Sequence, residues 1–470
     1  MTASLSFRGG VLALALAVPA ALEAREWRVA TGTGVATPQA ALALAIDGDV
    51  VRVAAGTYRG PVVVRRSVRL VGEGLPILDG GGRGTVVVLA GPGATLEGFR
   101  IRGSGDSLEH EDAGVLVTGA GARVVGNELT DVLFGVSVQE APRTVVAGNR
   151  VAGKPLDIAR RGDGIRLWQS ADARVEGNRL RDVRDVVLWY SHRLVVRGNE
   201  VRDSRYGLHF MFCDDADITH NVLRDNSVGA FLMYSRRLRF LDNAVAGNRG
   251  PSGYGLGLKD MDDFEVRGNR FVANRVAVFV DGAPAGGAVL AGNLLGAGEV
   301  GVRLLPNVRG LAVRDNAFLE NAEQAEIAGG GGDAEGNVWR SNYWSDYVGY
   351  DAGSDGVGDV PYRSERLFED LAARRPELRL FAFSPAVRAI DFAARAFPIV
   401  RPQPKLTDHA PRLVAPLPTG APPLAAGPPA PGASLASAAA LLAGALALLS
   451  LPRALLSRSG GSSGGRADRA

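Results

Sequence analysis

Five side chains that can bind a soft metal fall close together in the chain: His209, Met211, Cys213, Met233 and Met261. They include three of the four methionines, the single cysteine and one of the five histidines among 470 residues. Thioether, thiol and imidazole are the ligands that select Cu(I) over harder cations. An ion held by exchangeable thioethers can be handed on by ligand exchange, whereas a closed thiolate cage would keep it. Residue type alone therefore suggests transient copper binding, and spacing must decide whether these groups can meet.

The spacing comes from a repeat. Asparagines, mostly preceded by glycine, recur at Asn127, Asn149, Asn178, Asn199, Asn221, Asn243, Asn269, Asn293, Asn316 and Asn337, with steps of 21 to 29 residues. Each is followed by alternating apolar and polar residues and then a Gly or Asp turn, as in Gly207-Leu208-His209-Phe210-Met211-Phe212. Alternation argues strand rather than helix. A coil of about 22 residues made only of strands predicts a right-handed parallel β-helix, each coil stacked ~4.8 Å from the last. Asparagine suits its turn twice over, tolerating a left-handed backbone and bonding its equivalents above and below through the amide. The two longest steps place insertions at Lys154–Gly162 and Arg249–Gly253. In solenoids such insertions are loops, often on the binding face. Gly48–Val53 and Gly56–Tyr58 read as irregular first coils that cover an open end.

Stacking the coils by asparagine register turns the sequence into columns. Ile165/Leu167, Val186/Leu188, Leu208/Phe210, Ala230/Leu232 and Leu256/Leu258 should point inward. Arg166/Trp168, Val187/Trp189, His209/Met211, Phe231/Met233 and Gly257/Lys259 are then outward. One position further along lie Ser170, Ser191, Cys213, Ser235 and Met261. An outer face should be polar, yet this one carries Trp, Met, His and Phe. His209, Met211, Cys213 and Met233, helped by Met261, could converge on one Cu(I), with Trp168 and Trp189 as walls offering cation–π contact. The same face could instead dock a protein partner, which is compatible with copper, or be buried packing. His192, His220, His110 and His409 read as solvated loop histidines. Asp346, Asp351, Asp355 and Asp359, with Gly356 and Gly358, could supply oxygen ligands for Ca²⁺, but their spacing lacks the EF-hand pattern and fits a closing turn as well.

The ends and the composition set the context. With 62 glycines, 6% aromatic residues and 46% hydrophobic residues, the chain suits many short strands around a core. A net charge of +3 with no basic block gives no nucleic-acid footprint. Arg8 and the apolar run Gly9–Leu22 read as a signal peptide over residues 1–24. Residues 25–345 are then the β-helix and 346–412 a capping, partner-binding extension. A Pro/Ala-rich linker follows at 413–433 and a membrane helix at 434–452, whose apolar stretch Leu435–Leu451 would span about 26 Å. The arginine-bearing tail, 453–470, would be cytoplasmic.

Asn342-Tyr343-Trp344-Ser345-Asp346-Tyr347, Gly349-Tyr350-Asp351 and Gly356-Val357-Gly358-Asp359-Val360-Pro361-Tyr362 resemble the end of β-helix proteins of the NosD family. Phe383-Ser384-Pro385-Ala386, Ala389–Ala393, Phe397-Pro398 and Pro402–Asp408 extend the likeness, which covers residues 27 to 412. The repeat is unspecific, but this tail is specific to nitrous oxide reductase maturation proteins. The resemblance implies a non-enzymatic periplasmic assembly factor held at the inner membrane. It implies work with an ABC transporter membrane subunit and a copper-chaperone lipoprotein, supplying copper, and sulfur too in one version, for the copper–sulfur cluster of nitrous oxide reductase. The rival class is a carbohydrate-active β-helix acting on polyuronates. Asp214, Asp215, Asp260, Asp262 and Asp263 could supply its acids and Arg166 or Lys259 its base.

Overall fold

The computed structural model describes residues 24–424, apart from 31, 33, 329–335 and a number of positions between 365 and 403. The chain divides into two compact units, residues 1–422 and 423–470, and the first contains the solenoid. Residues 1–23 of the expected signal peptide, the end of the linker, the expected membrane helix at 434–452 and the basic tail lie outside the described residues. Among the described residues no helix is long and apolar enough to cross a membrane.

Three parallel sheets run along the first unit. Sheet A has 14 strands, from Glu26–Val29 to Val338–Arg340; sheet B has 13, from Thr57–Arg59 to Tyr343–Trp344; sheet C has 12, from Val62–Val64 to Glu323–Ile327. The chain visits A, B and C in turn, so neighbours within a sheet are one coil apart. This is the right-handed parallel β-helix that the alternation predicts. Alternation sends every second residue of each short strand inward. In one coil Val196, Val201, Leu208 and Phe210 are fully buried and stack on Ile218, Leu223, Ala230 and Leu232 of the next. Each of these Val, Leu, Ile and Phe side chains contributes about 1.5–3 kcal/mol.

The asparagines form an unbroken ladder at the corner between sheets A and B. Asn199 Oδ1 accepts from the backbone N–H and the Nδ2 of Asn178, both at 3.0 Å, and Asn199 Nδ2 donates to Asn221 Oδ1 at 3.0 Å and to Val175 O at 2.8 Å. The left-handed residue of this turn is the one ahead of each asparagine, such as Gly198 at φ 65°, which is why glycine precedes it so often. Asn337 does not belong to the ladder. It opens a sheet A strand at another corner, where its Oδ1 accepts from Leu311 N–H, and Asn342 takes the expected place after Asn316.

Both ends are closed. At the start, the helix Pro38–Leu44, capped by Thr37, lays Ala41 and Ala45 on the first coils, an element the sequence reading missed. At the other end Asp408 occupies the next rung. Its carboxylate accepts from Asn342 N–H at 2.9 Å, Asn342 Nδ2 at 3.0 Å and Trp344 Nε1 at 3.2 Å. Above it Phe318, Trp344 and Tyr362 stack at 4.3 and 4.2 Å. The chain then doubles back along the ladder corner. Arg412 donates to Asp315 at 2.7 Å and to Ser341 O, Arg270 donates to Pro418 O at 2.9 Å, and Ala421 is buried. Residues 413–422, read from sequence as linker, therefore form a strap on the solenoid.

The inserted segments both lie where the chain passes from sheet B into sheet C. Lys154 is tied to Asp106 and Asp131 at 3.1 and 3.3 Å, and the short helix Ile158–Arg160 follows. Residues 247–253 form the second loop, held by Arg275 on Pro251 O.

Candidate metal-binding face

The strands Ile165–Trp168, Asp185–Trp189, Tyr206–Met211, Val228–Met233 and Tyr254–Lys259 lie side by side in sheet C. Their register pairs Trp168 with Trp189, Trp189 with Met211, Met211 with Met233 and Met233 with Lys259. The column beside it runs Arg166, Val187, His209, Phe231, Gly257. Neighbouring strands are ~4.8 Å apart and alternate residues ~6.7 Å apart, so two thioethers and one imidazole share a small patch. Met211 and Met233 are half-buried.

His209 is 8% exposed and hemmed by rings. Trp189 meets it edge-on at 5.3 Å and Tyr206 at 4.9 Å. Its Nδ1 lies 3.4 Å from Asp185 Oδ2. Asp185 is fully buried, gripped by the Arg205 guanidinium and by Tyr206 N–H at 3.2 Å. Burial alone would raise its carboxyl, but His209 and Arg205 together hold it below the usual carboxylate range. One coil earlier, burial pushes Asp163 up to about 6 against the pull of Arg184. Trp168 continues the wall, 6.2 Å from Trp189, with the Arg166 guanidinium 5.7 Å above it and paired to Glu111. On the other side Phe231 lies across Gly257, where a Cβ would sit 2.0 Å from the ring.

Cys213 and Met261 do not reach this face. Phe212 is left-handed at φ 55°, which breaks the alternation after Met211 and turns Cys213 inward, and Met261 is likewise buried at 3% exposure. Cys213 joins a rung system with Ser170, Ser191 and Ser235. Its thiol donates to Leu188 O at 3.0 Å, and Sγ accepts from Ser191 N–H at 3.4 Å. Burial pushes the thiol pKa up to about 12. Cys213→Ser puts into this rung the residue that Ser170, Ser191 and Ser235 already supply in theirs, so it should fold with little loss of stability and leave Cu(I) binding intact. In the native protein the thiol should resist a maleimide at pH 8 until denaturant is added. Rapid native labelling, or copper loss in Cys213→Ser, would contradict this placement.

Sequence reasoning missed two aromatic ladders on either side of the methionines. Tyr190, Phe212 and Tyr234 stack at 5.1 and 5.2 Å, with nearly two-fifths of each residue exposed. Tyr206, Phe231, Tyr254 and Phe279 stack along the other side at 6.1, 6.2 and 4.5 Å. The 22-residue step from Tyr190 to Phe212 to Tyr234 was the available signal.

The other candidate groups are engaged elsewhere. His192 Nδ1 accepts from Asp214 N–H, His220 sits in the left-handed place ahead of Asn221, and His110 and His409 are exposed. Asp214 and Asp215 pair with Arg236 and Arg237, while Asp262 and Asp263 accept from Ala285 and Gly287 N–H. Asp351 and Asp359 accept backbone N–H groups of their own turn from Gly356 and Ala352, and Asp346 meets Tyr362. Among the described residues no group of three or more His, Cys, Asp or Glu is placed to hold a metal. A site built mainly of thioethers falls outside that donor set.

The chain is 32% identical over 398 residues to a "Probable ABC transporter binding protein NosD" of Pseudomonas aeruginosa, covering 81% of this chain and 92% of that one. The chain belongs to the NosD family. A second NosD so named, from Stutzerimonas stutzeri, is 28% identical and covers 81% and 91%. The family described as "Periplasmic copper-binding protein (NosD)" matches residues 147–349, which include the whole methionine face. Among solved structures, the A-module of an Azotobacter vinelandii mannuronan C-5 epimerase matches with TM-score 0.44 and 15% identity over 66% of this chain and 98% of that one. A PL6 alginate lyase matches with TM-score 0.48 and 14% identity over 69% and 86%. Neither value speaks to the chemistry of this NosD chain.

Proposed function

We propose that this NosD protein carries Cu(I) on the outer face of sheet C, with Met211, Met233 and His209 as donors. The observation that carries the reading is the pairing of Met211 with Met233 on adjacent strands beside a nearly buried imidazole. Two thioethers and one imidazole suit a soft monovalent ion and bind it weakly enough for exchange. Trp189, in contact with His209 and in register with Met211, offers its ring to the cation. Cys213 and Met261 face inward and are not part of this donor set. The protein acts as an accessory factor in the periplasm. It receives copper from a chaperone lipoprotein and, with an ABC transporter, supplies it for the copper–sulfur cluster of nitrous oxide reductase. The description of the family and the names of its relatives support copper binding and the transporter. The test is anaerobic Cu(I) titration of the wild type beside a variant without both thioethers, and full binding by that variant would sink the assignment.

We propose further that residues 434–452 anchor the protein in the inner membrane, from their length and apolarity. Ending the chain after Leu424 should move it from the membrane fraction to soluble periplasm. Full-length protein that already fractionates as soluble would refute the anchor.

A further inference from the structure

We infer that Asp185 is the positioning residue for His209, holding its ring so that Nδ1 carries the proton and Nε2 offers the lone pair to the metal. The inference rests on the copper reading for its metal but on independent geometry for its residues. Three observations carry it.

The first is chemical type. Counted along the sequence, the positions at the start of the sheet C strands are Gly164, Asp185, Gly207, Gly229 and Gly255, and Asp185 alone among these brings a carboxylate, although the register sets it opposite Tyr206 and not Gly207. Space there is tight: a Cβ at Gly207 would sit 2.4 Å from Gly229 O, and one at Gly229 2.4 Å from Gly255 O. Asp185 can carry a side chain because the register shift takes it out of that column and sets it opposite Tyr206.

The second is the backbone. Between Asp185–Trp189 and Tyr206–Met211 the register shifts, Asp185 facing Tyr206 but Val187 facing His209. The strand carrying the histidine thus has one extra residue at that point. Among the described pairings of sheet C this is the one register shift. Bulges re-aim side chains and gather beside functional sites. Here the extra residue separates Asp185 from the regular ladder and sets its carboxylate against the ring of His209.

The third is fixation. Arg205 Nε donates to Asp185 Oδ1 at 2.9 Å, its Nη2 reaches Oδ2, and Tyr206 N–H completes the cradle at 3.2 Å. The carboxylate can hardly rotate, and Oδ2 lies 3.4 Å from His209 Nδ1, a buried nitrogen that makes no hydrogen bond in this geometry and has this carboxylate as its ion-pair neighbour. Trp189 and Tyr206 hold the ring from either side. A carboxylate behind a ligating histidine fixes its tautomer and orientation, and losing it typically lowers metal affinity 10- to 100-fold.

Asp185→Asn keeps the shape and leaves the half-exposed Arg205 free to reach water. Two measurements on the full chain separate the possibilities. In copper-free protein, ¹⁵N shifts should show His209 as the Nδ1–H tautomer, and Asp185→Asn should bring in the Nε2–H form. In protein loaded anaerobically with Cu(I) alone, X-ray absorption should show one nitrogen and two sulfur scatterers. Asp185→Asn should weaken the nitrogen, keep the sulfurs and bind copper about 10- to 100-fold less tightly. A wild-type His209 in the Nε2–H form, or a tautomer and nitrogen shell unchanged by Asp185→Asn, would overturn the inference. The tautomer is read without copper. Absence of sulfur scatterers with the tautomer as expected would therefore defeat the copper reading and leave the role of Asp185 standing.

Discussion

Replacing Met211 and Met233 together by leucine should lower Cu(I) affinity by more than about a hundredfold, since even residues behind the ligands are worth 10- to 100-fold. The two side chains are neighbours in register on adjacent strands, so they act on the same ion or on none. Leucine matches methionine closely in volume and apolarity, and such exchanges usually cost below about 1.5 kcal/mol. Both positions are only half-buried, which favours the low end. His209 remains in the variant, but one imidazole is a poor trap for a soft ion. Competition against a chromophoric Cu(I) chelator under anaerobic conditions gives the affinity directly. In cells, nitrous oxide reductase should accumulate without its catalytic cluster. Unchanged affinity together with full reductase activity would mean that the face docks a partner and holds no copper.

Removing the carboxylate that ends the asparagine ladder should have the largest effect on stability. In Asp408→Ala, Asn342 loses the acceptor for its backbone N–H and its amide, and Trp344 loses the acceptor for Nε1. Both residues are essentially inaccessible to water. A buried donor left unmade costs about 1–3 kcal/mol, so a loss of roughly 3–6 kcal/mol is expected. Asp408→Asn, which still offers an oxygen, should cost less. Urea unfolding reports the total, and hydrogen exchange should show the last coils, around Leu311–Trp344, opening first. A midpoint within error of wild type for Asp408→Ala would show that water replaces the carboxylate.

The columns of sheet C were legible because two periods agree. Alternation fixes which way a side chain points, and the asparagine fixes how each coil stacks on the next, so Trp168, Trp189, Met211 and Met233 fall in one row. Both signals fail at turns. Phe212 takes a left-handed backbone, and with it the parity that put Cys213 outside is lost. Asn337 has the right residue type and spacing but opens a strand of a different sheet. Asp408 was invisible as a rung because it arrives 66 residues after Asn342. The cap was legible in another way, since Tyr343, Trp344, Tyr362 and Asp408 lie in the segments that resemble the NosD family. Asp185 was legible in the sequence as the acid in a glycine column, but its pairing with His209 depends on a bulge that no periodicity announces.

The ladder also has an electrical sense. In every rung from Asn127 to Asn316 the amide hydrogen that joins one asparagine to the next points to the following coil and the oxygen points back, while the other amide hydrogen caps a backbone carbonyl of the preceding coil. Dipoles aligned head to tail polarise one another and leave a partial positive charge where the row of hydrogens ends. In helices such a terminus is stabilised by an anion. This solenoid presents its own at the same pole, the carboxylate of Asp408 beneath Asn342. A neutral group there would leave the whole array of amides facing an uncompensated end, and any further coil grafted beyond Asn342 would have to carry that negative charge one rung outward with it.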